Sequence, residues 1–256
     1  MNKTAMDIVL AARSEKHIPG HEIRKRLFPD FFELHGDRLN QDDPAIVGGI
    51  TSFHDRPVTV ITTSRGHDLQ ERMAKHFGQP QPGGYRKVLR LIKNAAKFKR
   101  PVFLFVDTAG AYPGKSAEEN GQGQAIAQNL LEIGRVRTPI ITIMYGEGGS
   151  GGALALACGD EVWMLENSIY SVLSPEGFAS ILWKDAQKVT QAAEKMKLTP
   201  KDLLKFKVIE GIIEEPDDHQ IVCEKIDQVL KTELKKLDQL SLDELVQKRY
   251  ERFRKY

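Results

Sequence analysis

Two short, nearly all-apolar runs confine this chain more than any other feature: Pro101 to Val106, and Pro139 to Tyr145. Neither alternates apolar with polar residues, so each reads as a strand buried on both faces of a sheet. The first ends at Asp107 and opens into Thr108-Ala109-Gly110-Ala111-Tyr112-Pro113-Gly114. The second ends in a turn, Gly146 to Gly152, that packs five glycines into seven residues. Between them a helical pattern runs from Glu118 to Glu132. After them come a short apolar helix, Gly152 to Cys158, stopped by Gly159-Asp160, and strands at Glu161 to Leu165 and Ile169 to Val172. Strands alternating with helices predict an α/β protein, and the two loops should open on the same edge of its sheet, where such proteins bind ligands.

The flanks complete the outline. The first forty residues look helical and polar and end in Phe28-Pro29-Asp30-Phe31-Phe32. Strands follow at Ala45 to Phe53 and Pro57 to Thr63, joined by His54-Asp55-Arg56. From Tyr85 to Phe98, apolar residues at Val88, Leu91, Ile92, Ala95 and Ala96 keep helical spacing. Beyond Ser174 the chain is mainly helical: Ser174-Pro175 and Thr199-Pro200 each set a capping residue before proline. Glu214 to Asp218 is a polar break, and Ser241-Leu242-Asp243-Glu244 is a capping box in the amphipathic tail. The expected division is a helical segment over residues 1–38, a core over 39–215 and a helical tail over 216–256, all in one domain.

Charge and cysteine content narrow the function classes. A formal net charge of +2 argues for neither nucleic acid nor membrane as partner. The basic stretches Arg86 to Arg100 and Lys231 to Lys255 read as solvated helix faces. Cys158 and Cys223 stand far apart, in no metal-ligand spacing, so no metal site and no disulfide framework is expected. No apolar run reaches the roughly 18 residues of a spanning helix. Met1 to Arg13 is broken by Lys3, Asp7 and Arg13 and lacks the apolar stretch of a signal peptide. A cytoplasmic protein is expected.

The glycine turn fits three chemistries. As Gly146-x-Gly148-x-x-Gly151 it is a dinucleotide fingerprint, with Glu166 placed for a ribose hydroxyl, but the helix behind it is short. As Gly148-x-Ser150-x-Gly152 it is a nucleophile elbow, but His219, the only later histidine, lies in a polar stretch near the tail helix. In the third chemistry no side chain is needed. Glycines around Ser150 at a helix start leave backbone amides uncovered, and the helix dipole points positive charge the same way, which suits an enolate or tetrahedral oxygen.

Longer motifs carry a family resemblance. Asp107 to Gly114 with Ala117-Glu118-Glu119, Gly146 to Leu156, Tyr170 to Gly177, and Ala179-Ser180-Ile181-Leu182-Trp183-Lys184 resemble the carboxyltransferase α subunit of bacterial acetyl-coenzyme A carboxylase. Phe31 to Arg38 and Gly84-Tyr85-Arg86-Lys87 extend the match, which spans roughly residues 4 to 216. The resemblance implies a crotonase-like spiral of β-β-α units. It implies a transferase that moves a carboxyl group from carboxybiotin to acetyl-coenzyme A, giving malonyl-coenzyme A for fatty acid synthesis. Both are substrates, and no tightly bound cofactor is expected. The implied partners are a zinc-ribbon-bearing β subunit in an α2β2 heterotetramer, the biotin carboxyl carrier protein and biotin carboxylase. On this reading Gly151 and Gly152 supply oxyanion-hole amides and Gly148 and Gly149 shape the turn. Gly110 and Ala111 line the facing wall, and Tyr112 and Arg86 are candidate substrate contacts, with Lys87 and Arg90 beside Arg86.

Overall fold

A computed structural model describes residues 3–255 and shows one mixed sheet of eight strands. The strands are β1 (Phe32–Glu33), β2 (Ile46–Phe53), β3 (Arg56–Thr63), β4 (Val102–Thr108), β5 (Ile140–Gly149), β6 (Glu161–Leu165), β7 (Ile169–Ser171) and β8 (Gly211–Ile213). Their order is β1-β2-β3-β4-β5-β6-β8. The first two pairings are antiparallel and all later ones parallel. β5 is long enough to serve two neighbours. Ile141 to Met144 pair with β6, whereas Glu147 to Gly149 pair with β7.

A monotonic order of parallel strands has a packing consequence. Right-handed crossovers put the helices that connect β3 to β4 and β4 to β5 on the same face of the sheet. There, Val102, Leu104 and Val106 of β4 meet Val88, Leu91 and Ile92 of the helix Pro82–Lys97 and Ala125 and Ile133 of the helix Gln122–Ile133. The opposite face is just as apolar, with Phe103, Phe105, Ile141, Ile143 and Tyr145, and needs its own cover. The helices Gly20–Leu27 and His219–Leu237 provide it, through Ile23, Val222, Ile226 and Leu230. Each fully buried aliphatic side chain stabilises by about 1.5–3 kcal/mol, so the tail helix is part of the core. The last helix, Leu242–Phe253, is tied in by a buried arginine. Arg249 holds Asp160 at 2.7 and 2.8 Å and caps the carbonyls of Ile133 and Val136.

Most expected elements are present, but four differ. The glycine stretch is not a turn: Gly146 to Gly149 continue β5, because Glu147 to Gly149 find a partner in β7. The helix after it is Ser150–Leu154, earlier and shorter than Gly152 to Cys158. The expected helix Glu118 to Glu132 is two, Lys115–Glu119 and Gln122–Ile133, parted by Gly121 at φ +83. β8 went unforeseen because three residues carry too little pattern. Lys87 corrects the solvated-face reading of its helix: it is buried, with Nζ 2.7 Å from Asp42 Oδ1 and 2.9 Å from the Ile46 carbonyl. Among the described residues no helix is long and apolar enough to cross a membrane.

Candidate functional site

The ends of β4 and β5 lie side by side, with Thr108 opposite Gly148. The two segments singled out from sequence thereby adjoin at one edge of the sheet. Gly110 sits at φ +134, a conformation that only glycine adopts without strain, and so turns the first loop across the end of β5. Closeness demands the second special glycine. A Cβ on Gly152 would overlap the Ala111 amide nitrogen and stand 2.6 Å from Tyr85 Oη. Gly151 differs, since a Cβ there meets nothing nearer than Ile126 Cγ2 at 4.0 Å. Its bare Cα faces open space.

Uncovered donors collect at this junction. Gly151 and Gly152 lie in the first turn of Ser150–Leu154, and the N-cap Gly149 has no side-chain oxygen to offer. Their N–H groups therefore have no intrahelical acceptor. The Ala111 N–H, across from Gly152, has no hydrogen-bond partner among the described residues. Tyr85 adds a hydroxyl that is fully buried and unpaired. Burial and the nearby Asp43 carboxylate push that hydroxyl far above the ordinary tyrosine range, so it stays protonated and can donate. With only five residues the helix has a small dipole, so the amides matter more than the macrodipole. A groove of about 530 Å³ opens from Ser150 and Gly151 and is walled by Leu154, Tyr170, Val172 and Phe253. Bare donors beside an apolar groove suit a planar, hydrophobic ligand that becomes negatively charged.

Side-chain chemistry is scarce here. Ser150 is exposed and sits at φ +57, a left-handed value that costs a non-glycine residue about 1 kcal/mol. A nucleophile elbow needs a base beside it. Among the described residues no histidine hydrogen-bonds to Ser150, and His219 is engaged elsewhere, with Glu22 Oε2 at 2.9 Å and the Lys16 carbonyl at 3.2 Å. The dinucleotide reading fails on topology, because the strand order never reverses to make the crevice such a fold uses. Glu166 instead accepts the Glu215 N–H at 3.0 Å.

Two other expected contacts have structural tasks. All three Arg86 nitrogens are occupied: Nε by Asp37 at 2.8 Å, Nη2 by Gln41 at 3.1 Å and Nη1 by the Asn120 carbonyl at 3.2 Å. Arg86 thus clamps the Asp37–Gln41 loop and offers no free fork to a phosphate. Tyr112 stacks on His76 with ring centroids 4.1 Å apart, and its N–H goes to the Pro80 carbonyl at 3.0 Å.

Sequence reading missed the charges behind the glycines. Asp107 and Glu147, both buried, are bridged by Arg65 Nη2 at 2.6 and 2.9 Å. Burial alone would raise the Asp107 carboxyl, but Arg65 and His17 hold it below the ordinary range. Burial works against the Arg65 guanidinium too, yet the two carboxylates raise it further into its charged form. The available signal was a charge at the end of an all-apolar strand, since a buried charge requires a partner.

Comparison with known proteins agrees with this geometry. A sequence model of the family described as acetyl co-enzyme A carboxylase carboxyltransferase-like matches residues 1–256. The acetyl-coenzyme A carboxylase carboxyl transferase subunit alpha of Streptococcus gordonii strain Challis is 54% identical over 97% of this chain and 98% of its own. That of Streptococcus sanguinis SK36 is 51% identical over the same shares. Among solved structures, transcarboxylase 12S with methylmalonyl-coenzyme A and methylmalonic acid bound superposes with a TM-score of 0.71 at 17% identity, covering 89% of this chain. The β subunit of Pseudomonas aeruginosa geranyl-CoA carboxylase gives 0.67 at 16% identity over 90%. This chain spans 44% of each of those two, and they bear on the fold alone, which is the crotonase-like one. By its full-length family match and its close, nearly co-extensive relatives, the chain belongs to the carboxyltransferase α-subunit family of acetyl-coenzyme A carboxylase.

Proposed function

We propose that this chain holds the carboxybiotin side of a two-subunit site that carboxylates acetyl-coenzyme A, while a β subunit holds the thioester. The observation that carries this reading is the adjacency of Gly151 and Gly152 to Ala111, with amides free of intrahelical or other acceptors among the described residues and Gly151 lining an apolar groove. Breaking the N–C bond of carboxybiotin releases carbon dioxide and leaves the electron pair on the biotin ureido group as an enolate. That anion takes the proton of the acetyl methyl group, and the thioester enolate so formed attacks carbon dioxide to make malonyl-coenzyme A. Stabilising the first anion raises the rate, and preorganised amides do so without a titrating side chain. The groove accepts the biotin rings, with Gly151 and Gly152 directed at the ureido oxygen and Gly110 and Ala111 as the facing wall.

Exposed apolar surface supports the division of labour. Val172 at the groove and Ile181 and Leu182 on the next helix are all solvent-facing in the isolated chain, as surface awaiting a partner would be. The biotin carboxyl carrier protein and biotin carboxylase complete the assembly, with an α2β2 arrangement of carboxyltransferase subunits. The test is malonyl-coenzyme A-dependent carboxylation of free biotin by the purified chain, with and without a carboxyltransferase β subunit. Activity is expected only in the mixture. Equal activity without the partner would overturn the shared-site reading.

A further inference from the structure

The glycine face of β4 and β5 has a reverse side, and the proposed chemistry uses none of its residues. Asp107 and Glu147 both reach Arg65, and Asp107 shares a cavity lining with Tyr145, which packs with Phe105 on the face opposite the helix core. Each carboxylate sits at the base of one wall. Asp107 immediately precedes Thr108 to Ala111, and Glu147 immediately precedes Gly148 to Gly152. Asp107 Oδ1 also accepts the Glu147 N–H at 2.8 Å, so carboxylate and backbone are stitched together.

Two buried carboxylates this close repel each other unless a cation stands between them. Arg65 is that cation. One atom, Nη2, lies 2.6 Å from Asp107 and 2.9 Å from Glu147. Its Nε is buried and unpaired, so the guanidinium has been placed for these two contacts at the expense of a third. The remaining neighbours are also fixed. Arg13 Nε takes the other Glu147 oxygen at 2.6 Å and its Nη1 reaches Glu176 at 2.7 Å. His17 Nε2 lies 3.4 Å from Asp107 Oδ2, and Tyr145 donates to the Thr63 carbonyl. Glu15, His21, His67 and Arg72 line the same cavity as Arg65 and Asp107, with the His21 and His67 rings edge to face at 3.9 Å, and Arg24 and Glu215 are more distant charges on this side.

We propose that Arg65 is a positioning residue for carboxyl transfer: by clamping Asp107 to Glu147 it sets the separation of the two backbone walls that bind the anion. This rests on the proposed carboxyltransferase reading, and wild-type activity with the β partner is the control that separates failure of one from failure of the other. Without the clamp, like charges force the strand ends apart. One of the freed carboxylates then gains a proton more easily, because burial and repulsion both raise its pKa. Lowering the pH therefore restores neutrality and, with it, the wall spacing.

The experiment measures kcat and KM of the full chain mixed with its β subunit, for wild type, R65M, R65K and R65M/E147Q, between pH 6 and 8.5. Each variant is expressed as a ratio to wild type at the same pH. R65M is expected to lose about 30-fold or more in kcat at pH 8, with KM within about threefold, and to recover about tenfold toward pH 6. R65K, whose ammonium can still stand between the carboxylates, retains most activity. R65M/E147Q, in which one charge has been removed, returns to within about fivefold at every pH. A pH-independent loss in R65M without rescue by E147Q would overturn the proposal, as would full activity of R65M. Should R65M fail to fold, R65M/E147Q decides: activity near wild type supports the clamp, and a loss beyond about 30-fold in a folded chain refutes it.

Discussion

The same two strand ends present opposite solutions on their two faces. On the helix-covered face the proposed site is made by what is missing: glycines at 151 and 152 leave amides bare, with the unpaired Tyr85 hydroxyl beside them. On the other face the carboxylates are paired, with Asp107 and Glu147 held by Arg65 and Arg13 in contacts of 2.6 to 2.9 Å. The contrast separates two tasks. Stabilising a transient anion needs donors that have no other acceptor, whereas fixing backbone to the required spacing needs contacts that are already satisfied.

The sharpest way to break the comparison is to fill the bare face. Gly152→Val forces a side chain into Ala111 N and Tyr85 Oη, and should lower kcat by about 10³-fold or more and destabilise the chain by about 1–3 kcal/mol. Thermal melts beside the assay check both. A smaller effect tests the paired face through pH. Burial alone would lower the His17 pKa, but Asp107 raises it above its ordinary value near 6.5. Its contribution to stability is therefore complete below that value and is lost as pH rises through the higher folded pKa. His17→Gln should remove this downward step from a plot of unfolding free energy against pH, and an unchanged plot would speak against the His17–Asp107 pair.

Two hydroxyl changes sharpen the contrast with smaller expected effects. Tyr85 Oη is buried without a partner, so Tyr85→Phe removes an unsatisfied group and should leave the chain as stable or more stable by about 1 kcal/mol. A fall in stability would mean that the hydroxyl has a bond in the folded chain. Ser150→Gly relieves a left-handed residue by about 1 kcal/mol, visible as a rise in melting temperature, with kcat within about threefold.

These two faces were not equally legible in the sequence. The bare face announces itself locally, since Gly146 to Gly152 is contiguous and follows a short, β-branched apolar run that reads as a buried strand. Its exact form was less visible. Pairing of Glu147 to Gly149 with β7 turns an expected loop into strand, and that is a tertiary contact no local pattern encodes. The paired face is scattered over positions 13, 17, 65, 107, 147 and 176, which only the fold assembles. Arg86 and Lys87 misled for a related reason. A basic stretch on an amphipathic helix usually faces water, but here Asp37 and Asp42, far upstream, reach down and claim both cations.

The central claim is that backbone, not Ser150, performs the work of the glycine face. It is tested most directly by kcat of Gly151→Val and Ser150→Ala in the complex with the β subunit. Gly151 has room for a Cβ, so Gly151→Val should fold normally while covering the amides, and lose about 100-fold or more. Ser150→Ala should stay within about threefold of wild type. An inactive Ser150→Ala beside an active Gly151→Val would contradict the account.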